Sequence, residues 1–283
     1  MGRLHSSPIL SVIIPAYNEA DRILPYIRQT TAYLSRRGQP YEVLVVDDGS
    51  RDETAARVNA FAAQATAVRL IQLPVNAGKG AAVRVGMLEA RGRFRLMADA
   101  DGATPIWECE QLEAGIRGGA DLAIASRVLA LRDHRFRVKA RWHRSLLGNL
   151  FNAVARRLLI ERIADTQCGF KLFRAGVARD LFSLTHVNGY GFDLELLYVA
   201  RRRGYRIQEM PVNWTDQPGS KVRLARDGYR MFLDVLAVRR YEAQGLYGPP
   251  IRPIHDAFES RIPSLAFPHQ TSRVSRDSSG ATV

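Results

Sequence analysis

Two aspartates two residues apart, Asp99 and Asp101, follow directly on a short apolar run at residues 94–97. Carboxylates so spaced beyond a strand end both reach one hard divalent cation and leave coordination positions for pyrophosphate oxygens. Gly102 and Thr104-Pro105 equally suit a turn, and an Asp-x-Asp alone is common. Its weight comes from its neighbours. Five apolar runs in the first half each end in polar residues: Pro15-Ala-Tyr17-Asn18-Glu19, Asp47-Asp48-Gly49-Ser50, Asn76-Ala-Gly78-Lys79-Gly80, Asp99-Ala-Asp101-Gly102 and Ser126-Arg127. In open α/β sheets, ligands bind in the crevice beyond the carboxyl ends of the strands. Five such ends build one polar crevice, which solvation alone does not explain.

Within that crevice Asp48 suits hydrogen bonds from a base or ribose, and it equally suits an Asx-turn into the next helix. Gly78-Lys79-Gly80 precedes a helical pattern, so backbone N–H groups and an ammonium can face an anion there. The segment lacks the upstream glycine and following Ser/Thr of a P-loop. Val83 also stands where a dinucleotide fingerprint has its third glycine.

The elements that must position these residues read as strands at 10–14, 42–46, 68–73, 94–97 and 122–125. Periodic helical segments lie between them at 20–37, 52–64, 80–90 and 106–117. The apolar runs show no clean alternation, as strands covered on both faces do. The pattern predicts an α/β fold with a doubly wound, mostly parallel sheet. Ser50 and Glu53 have capping-box spacing ahead of the second helix.

The second half is expected to hold a basic amphipathic stretch over 135–162 and a mixed segment over 165–174. A helix over 192–203, a strand over 206–214, a loop at 217–220 and a last basic helix over 222–241 follow. One domain over 1–247 is expected, with a nucleotide-binding half at about 9–127 and an acceptor-facing half at about 128–247. Residues 248–283, rich in Pro and Ser, read as a disordered tail.

The chain carries 41 Lys and Arg against 28 Asp and Glu over 283 residues, a net charge of +13. Such a field favours anionic partners: nucleotide phosphates, lipid phosphates or an acidic bilayer. The pI of about 10.3 also raises nucleic acid, but no docking module or dense aromatic-basic platform accompanies it, so nucleic acid is not expected as a partner. Two cysteines outside any metal-ligand spacing argue against a disulfide framework and fit a cytoplasmic setting. Neither a signal peptide nor a transmembrane run is evident. Contact with a membrane is therefore expected from its cytoplasmic face, as a peripheral protein.

Taken together, the quoted motifs resemble glycosyltransferase family 2, the inverting enzymes of GT-A fold, over about residues 9–241. Met97-Ala-Asp99-Ala-Asp101-Gly102-Ala-Thr104 looks like the dolichyl-phosphate β-glucosyltransferases within it. Asp165-Thr-Gln-Cys-Gly169-Phe-Lys171-Leu-Phe and Gly219-Ser220-Lys221 resemble polyprenyl-phosphate sugar transferases. The resemblance implies transfer of glucose from UDP-glucose to a polyprenyl phosphate, with Mg²⁺ or Mn²⁺ held by Asp99 and Asp101. It places Pro15, Tyr17, Glu19, Asp48 and Lys79 around the nucleotide. Arg127, Ser220 and Lys221 would face phosphates, Gln167 and Lys171 the acceptor, and Asp193 or Glu195 the reaction centre. An anionic membrane surface would be a further partner, with residues 135–162 as an interfacial helix pair. Related mannosyl-phosphate synthases often carry a glutamine where Ala103 stands, which favours glucose over GDP-mannose as the donor sugar. Transfer to another glycan or lipid, and a nucleotide-binding scaffold without activity, are the competing readings.

Overall fold

A computed structural model of the chain describes residues 7–139, 163–217 and 224–251, all within one compact unit, Met1–Arg252. The first half alternates strand and helix. It comprises β1 (Leu10–Ala16), α1 (Ile23–Arg36), β2 (Tyr41–Asp47), α2 (Thr54–Ala62), β3 (Val68–Gln72), α3 (Lys79–Glu89) and β4 (Phe94–Ala98). A 3₁₀ turn (Ile106–Glu108), α4 (Cys109–Arg117), β5 (Leu122–Ser126) and the short α5 (Arg127–Ala130) complete it. Then come β6 (Val138–Lys139), β7 (Phe170–Arg174), α6 (Ala175–Leu184), α7 (Phe192–Arg202), β8 (Ile207–Pro211), β9 (Trp214–Thr215) and α8 (Leu224–Ala243).

Seven strands form one sheet in the order β3-β2-β1-β4-β7-β5-β8. All its pairings are parallel except those of β7, which runs antiparallel to both β4 and β5. The sheet is thus mostly parallel, as expected. β6 and β9 pair separately as a small parallel ribbon.

Successive side chains of a strand point to opposite faces, and both faces are covered. On one, Ile13, Leu44, Val46, Met97 and Phe173 pack with Val83 and Met87 of α3, Phe182 of α6 and Leu196 of α7. On the other, Val12, Ile14, Val43, Val45, Leu96 and Leu172 pack with Ile23 and Ile27 of α1, Val58 of α2 and Leu112 of α4. Two-sided burial explains why these strands read as continuous apolar runs.

Three sequence expectations are corrected. The capping box does not form: Ser50 Oγ accepts the N–H of Asn18 at 2.8 Å, Glu53 pairs with Arg57, and Asp52 Oδ1 instead accepts the N–H of Thr54 at 3.0 Å. The segment 165–174 contains a full core strand, β7, and α6 follows it directly. The chain also stays attached beyond residue 248: Arg203 Nη1 donates to the Pro249 carbonyl, and Ile251 N–H donates to the Arg203 carbonyl. The amphipathic stretch 135–162 lies mostly outside the described residues, as do Ser220, Lys221 and the tail from 252.

Candidate functional site

The carboxyl ends of β1, β2 and β4 open onto a cavity of about 550 Å³. Its near wall comes from Pro15, Tyr17, Glu19 and Arg22 after β1, Asp48 after β2, and Asn76 and Gly78 ahead of α3. Lys79, Asp99 and Asp101 form its floor. The expected nucleotide and metal residues Pro15, Tyr17, Glu19, Asp48, Lys79, Asp99 and Asp101 therefore come together in one place. A far wall is supplied by Gly189 and Tyr190 ahead of α7 and by Arg230, Met231, Leu233 and Asp234 of α8.

Local hydrogen bonds hold the near wall. Asn18 adopts φ 52, an uncommon backbone conformation that asparagine tolerates. Its Oδ1 accepts the Arg51 N–H at 2.8 Å, and Glu19 N–H donates to Thr54 Oγ1 at 2.7 Å. Asp48 ties down the next loop: its carboxylate accepts the N–H groups of Ala77 (2.7 Å) and Gly78 (2.9 Å) and the Asn76 amide (3.0 Å). Burial pushes the Asp48 carboxyl up, and the two backbone donors counter it. Asp48 is thus a loop anchor as well as a cavity-lining acceptor.

Asp99 and Asp101 are set by the loop itself. Asp99 N–H donates to the Gly169 carbonyl of the segment leading into β7, and Asp101 Oδ1 accepts the Ala103 N–H at 3.0 Å. A Cβ on Gly169 would lie 1.9 Å from Asp99 Oδ2, so glycine here leaves the Asp99 carboxylate its position. Gly102 turns the loop at φ +65 against the buried ring of Tyr26. Burial raises the Asp101 carboxyl, and the neighbouring Asp99 raises it further. Two neighbouring carboxylates, one of them desolvated, are what a cation would relieve.

Among the described residues no cluster of three or more His, Cys, Asp and Glu is present. The donor set is therefore two carboxylates. That fits a hard divalent ion whose remaining ligands are diphosphate oxygens and water.

A line of alternating charges runs from this floor into the core. Lys79 Nζ stands 2.6 Å from Asp99 Oδ1 with 23% of its side chain exposed. Burial would lower that ammonium, but Asp99 and Asp193 outweigh it and hold it above its ordinary value. Deeper in, Lys171 Nζ donates to Asp193 Oδ1 and to the Cys168 carbonyl, both at 2.7 Å. The Lys171 and Asp193 side chains are only 0% and 5% exposed.

The remaining expected site residues are placed differently. Lys171, expected on the acceptor-facing loop, lies in β7 with its ammonium buried beneath the floor. Glu195, expected near the reaction centre, is also fully buried. Its carboxylate accepts the N–H groups of His186 and Val187 and the Tyr247 hydroxyl at 2.8–2.9 Å, so it anchors the loop before α7. Gln167 lies behind the far wall, its amide 3.8 Å from the Met231 sulfur.

Arg127 is clamped by Asp165, with Nε at 2.7 Å and Nη2 at 2.8 Å, and its guanidinium lies 5.3 Å from the Trp214 ring centre. Burial alone would raise the Asp165 carboxyl, but the Arg127 guanidinium holds it below its ordinary value. Arg22, Tyr190, Arg230 and Asp234 escaped sequence reasoning. Arg22 carried one signal, its i,i+3 spacing from Glu19, with which it forms a two-pronged ion pair at 2.7 Å.

Comparison with known proteins agrees with this geometry. The family model described as glycosyl transferase family 2 matches residues 11–182. A dolichyl-phosphate beta-glucosyltransferase of Trichomonas vaginalis is 39% identical over 243 residues, covering 83% of this chain and 72% of that protein. The Homo sapiens dolichyl-phosphate beta-glucosyltransferase is 38% identical over 241 residues, covering 81% and 74%. Among solved structures, glucosyl-3-phosphoglycerate synthase from Mycobacterium tuberculosis in complex with UDP superposes with a TM-score of 0.62 at 20% identity, over 82% of this chain and 80% of that one. The same enzyme with Mn²⁺, UDP-glucose and phosphoglyceric acid gives 0.59 at 18%, over 82% and 79%. These structures share the GT-A fold. With a crevice of this kind at the strand ends and a matched region that contains its near wall and floor, the chain belongs to glycosyl transferase family 2 and is a glycosyltransferase.

Proposed function

We propose that the chain transfers glucose, with inversion, from UDP-glucose to the phosphate of a dolichyl-type polyprenyl phosphate. The observation that carries the proposal is the floor of the cavity: two neighbouring carboxylates, that of Asp101 desolvated, beside a lysine, in a chain whose relatives bear the name dolichyl-phosphate beta-glucosyltransferase. Asp99 and Asp101 would hold Mg²⁺ or Mn²⁺, which when bound stabilises charge on the departing diphosphate. Pro15, Tyr17, Glu19 and Asp48 line the side that takes the nucleoside.

Lys79, next to Asp99, offers a second positive charge to the leaving group. The acceptor needs little help to become a nucleophile, because a phosphate monoester with a second pKa of about 6 is mostly dianionic at neutral pH. Asp193, locked against Lys171, accordingly acts as a counter-ion that keeps Lys79 oriented rather than as a base. The approaching dianion requires cations; Lys221 and Arg127, the latter already paired with Asp165, are assigned to it, with the Ser220 hydroxyl as a hydrogen-bond donor.

The lipid acceptor implies work at a membrane surface. No described helix is long and apolar enough to cross a bilayer. The exposed Tyr229, Phe232, Leu233 and Leu236 on one side of α8, next to the cavity, support contact with lipid.

The test is to supply purified protein with Mg²⁺, polyprenyl phosphate and radiolabelled UDP-glucose or GDP-mannose, and to count label in the organic phase. Label from UDP-glucose that is lost in Asp101→Ala supports the reading. Label from GDP-mannose alone, or none in lipid from either donor, overturns it.

A further inference from the structure

The two walls of the cavity differ in origin. The near wall and floor lie inside residues 11–182, the part the family model matches, whereas every far-wall residue lies beyond it. The near wall and floor thus belong to the region this chain shares with the family model, and the far wall to the part outside it.

The far wall has the composition that a hexose requires. Tyr190 is 38% exposed and lines the cavity between Gly189 and Gly191. Gly191 accepts no side chain, because a Cβ there would lie 2.4 Å from Asp234 Oδ2, and one on Gly189 would lie 3.5 Å from the same oxygen. Gly191 therefore lets α8 close onto the loop and sets the Asp234 carboxylate beside Tyr190.

Burial raises the Asp234 carboxyl, and the nearby Gly191 backbone N–H counters it. A carboxylate has about four lone-pair sites, so this one retains capacity for hydroxyl donors. A pyranose offers a face of polarised C–H bonds and a rim of hydroxyls. The negative face of an aromatic ring attracts the first, and a desolvated carboxylate accepts from the second.

We propose that Tyr190 and Asp234 form the hexose subsite of the donor, the ring under the sugar's C–H face and the carboxylate on its hydroxyls. The proposal rests on the UDP-glucose reading above. It assigns sugar selection to residues that the Asp-x-Asp and glycine-rich motifs do not contain.

Calorimetric titration of the full chain with UDP and with UDP-glucose, each with Mn²⁺, separates sugar contacts from nucleotide contacts. The quantity read is the UDP-glucose Kd divided by the UDP Kd. Tyr190→Ala and Asp234→Asn are each expected to raise that ratio by about fivefold or more, while UDP binding stays near wild type. Tyr190→Phe, which keeps the ring, is expected to leave it unchanged and guards against a trivial folding defect. A ratio unchanged in either Tyr190→Ala or Asp234→Asn overturns the subsite and leaves the donor reading standing. So does equal weakening of both ligands, which would place Tyr190 against the base. Wild-type protein that binds neither uridine ligand overturns the donor reading and the subsite with it.

Discussion

Replacing Lys171 by alanine should cost the protein much of its stability. The ammonium is fully buried and makes two bonds of 2.7 Å, one to the Asp193 carboxylate and one to the Cys168 carbonyl. Removing it leaves a buried carboxylate without its nearest partner and a carbonyl without a donor. Breaking a buried pair from one side costs about 3–5 kcal/mol, against a net stability of about 5–15 kcal/mol for a domain. At roughly 2–4 °C per kcal/mol for a chain of this size, the melting temperature should fall by about 10 °C. Scanning calorimetry on the purified variant reads this directly. Lys171→Met combined with Asp193→Leu removes both charges and should recover most of the loss, since apolar replacement of a whole pair is often nearly neutral. A Lys171→Ala protein that melts within about 2 °C of wild type would refute the buried-pair account and return Lys171 to the acceptor side.

Three further outcomes are expected. Gly169→Ala drives a methyl into the Asp99 carboxylate and should weaken Mn²⁺ binding in the presence of UDP by about tenfold or more, read by electron paramagnetic resonance. Asp165, held below its ordinary value beside Arg127, contributes stability above its unfolded pKa that is lost as pH falls through the folded one; Asp165→Asn should therefore be less stable than wild type near neutrality and should flatten the acid limb of a urea-midpoint profile. Gly86→Ala places a Cβ 2.4 Å from the Ile13 methyl and 2.9 Å from that of Val46, so chemical denaturation should show about 1–3 kcal/mol lost to overpacking.

The near half of the site was legible because its signals are local. Each strand from β1 to β5 is an apolar run flanked by turn residues, and each functional residue follows its strand within a few positions. The far half was not. β7 does not read as a continuous apolar run, because the buried Lys171 sits among Phe170, Leu172 and Phe173. Nothing in the sequence near Tyr190 announces that Asp234, 44 positions on, will close over it. Glu195 is expected near the reaction centre because the family resemblance implies it. Only the fold reveals the two backbone donors and the Tyr247 hydroxyl that occupy it.

The antiparallel insertion of β7 also bears on how the chain acquires its shape. β4, which carries the two aspartates at its end, pairs on one side with β1 and on the other with a strand that arrives about 70 residues later. Until those residues leave the ribosome, β4 is an uncovered sheet edge, a template for pairing with other chains. The Gly169 carbonyl that bonds the Asp99 N–H is missing for the same interval. A nascent chain halted before β7 would thus be prone to aggregate and would lack the bond that sets Asp99, so competence to fold and completion of the proposed cation site come in the same late step.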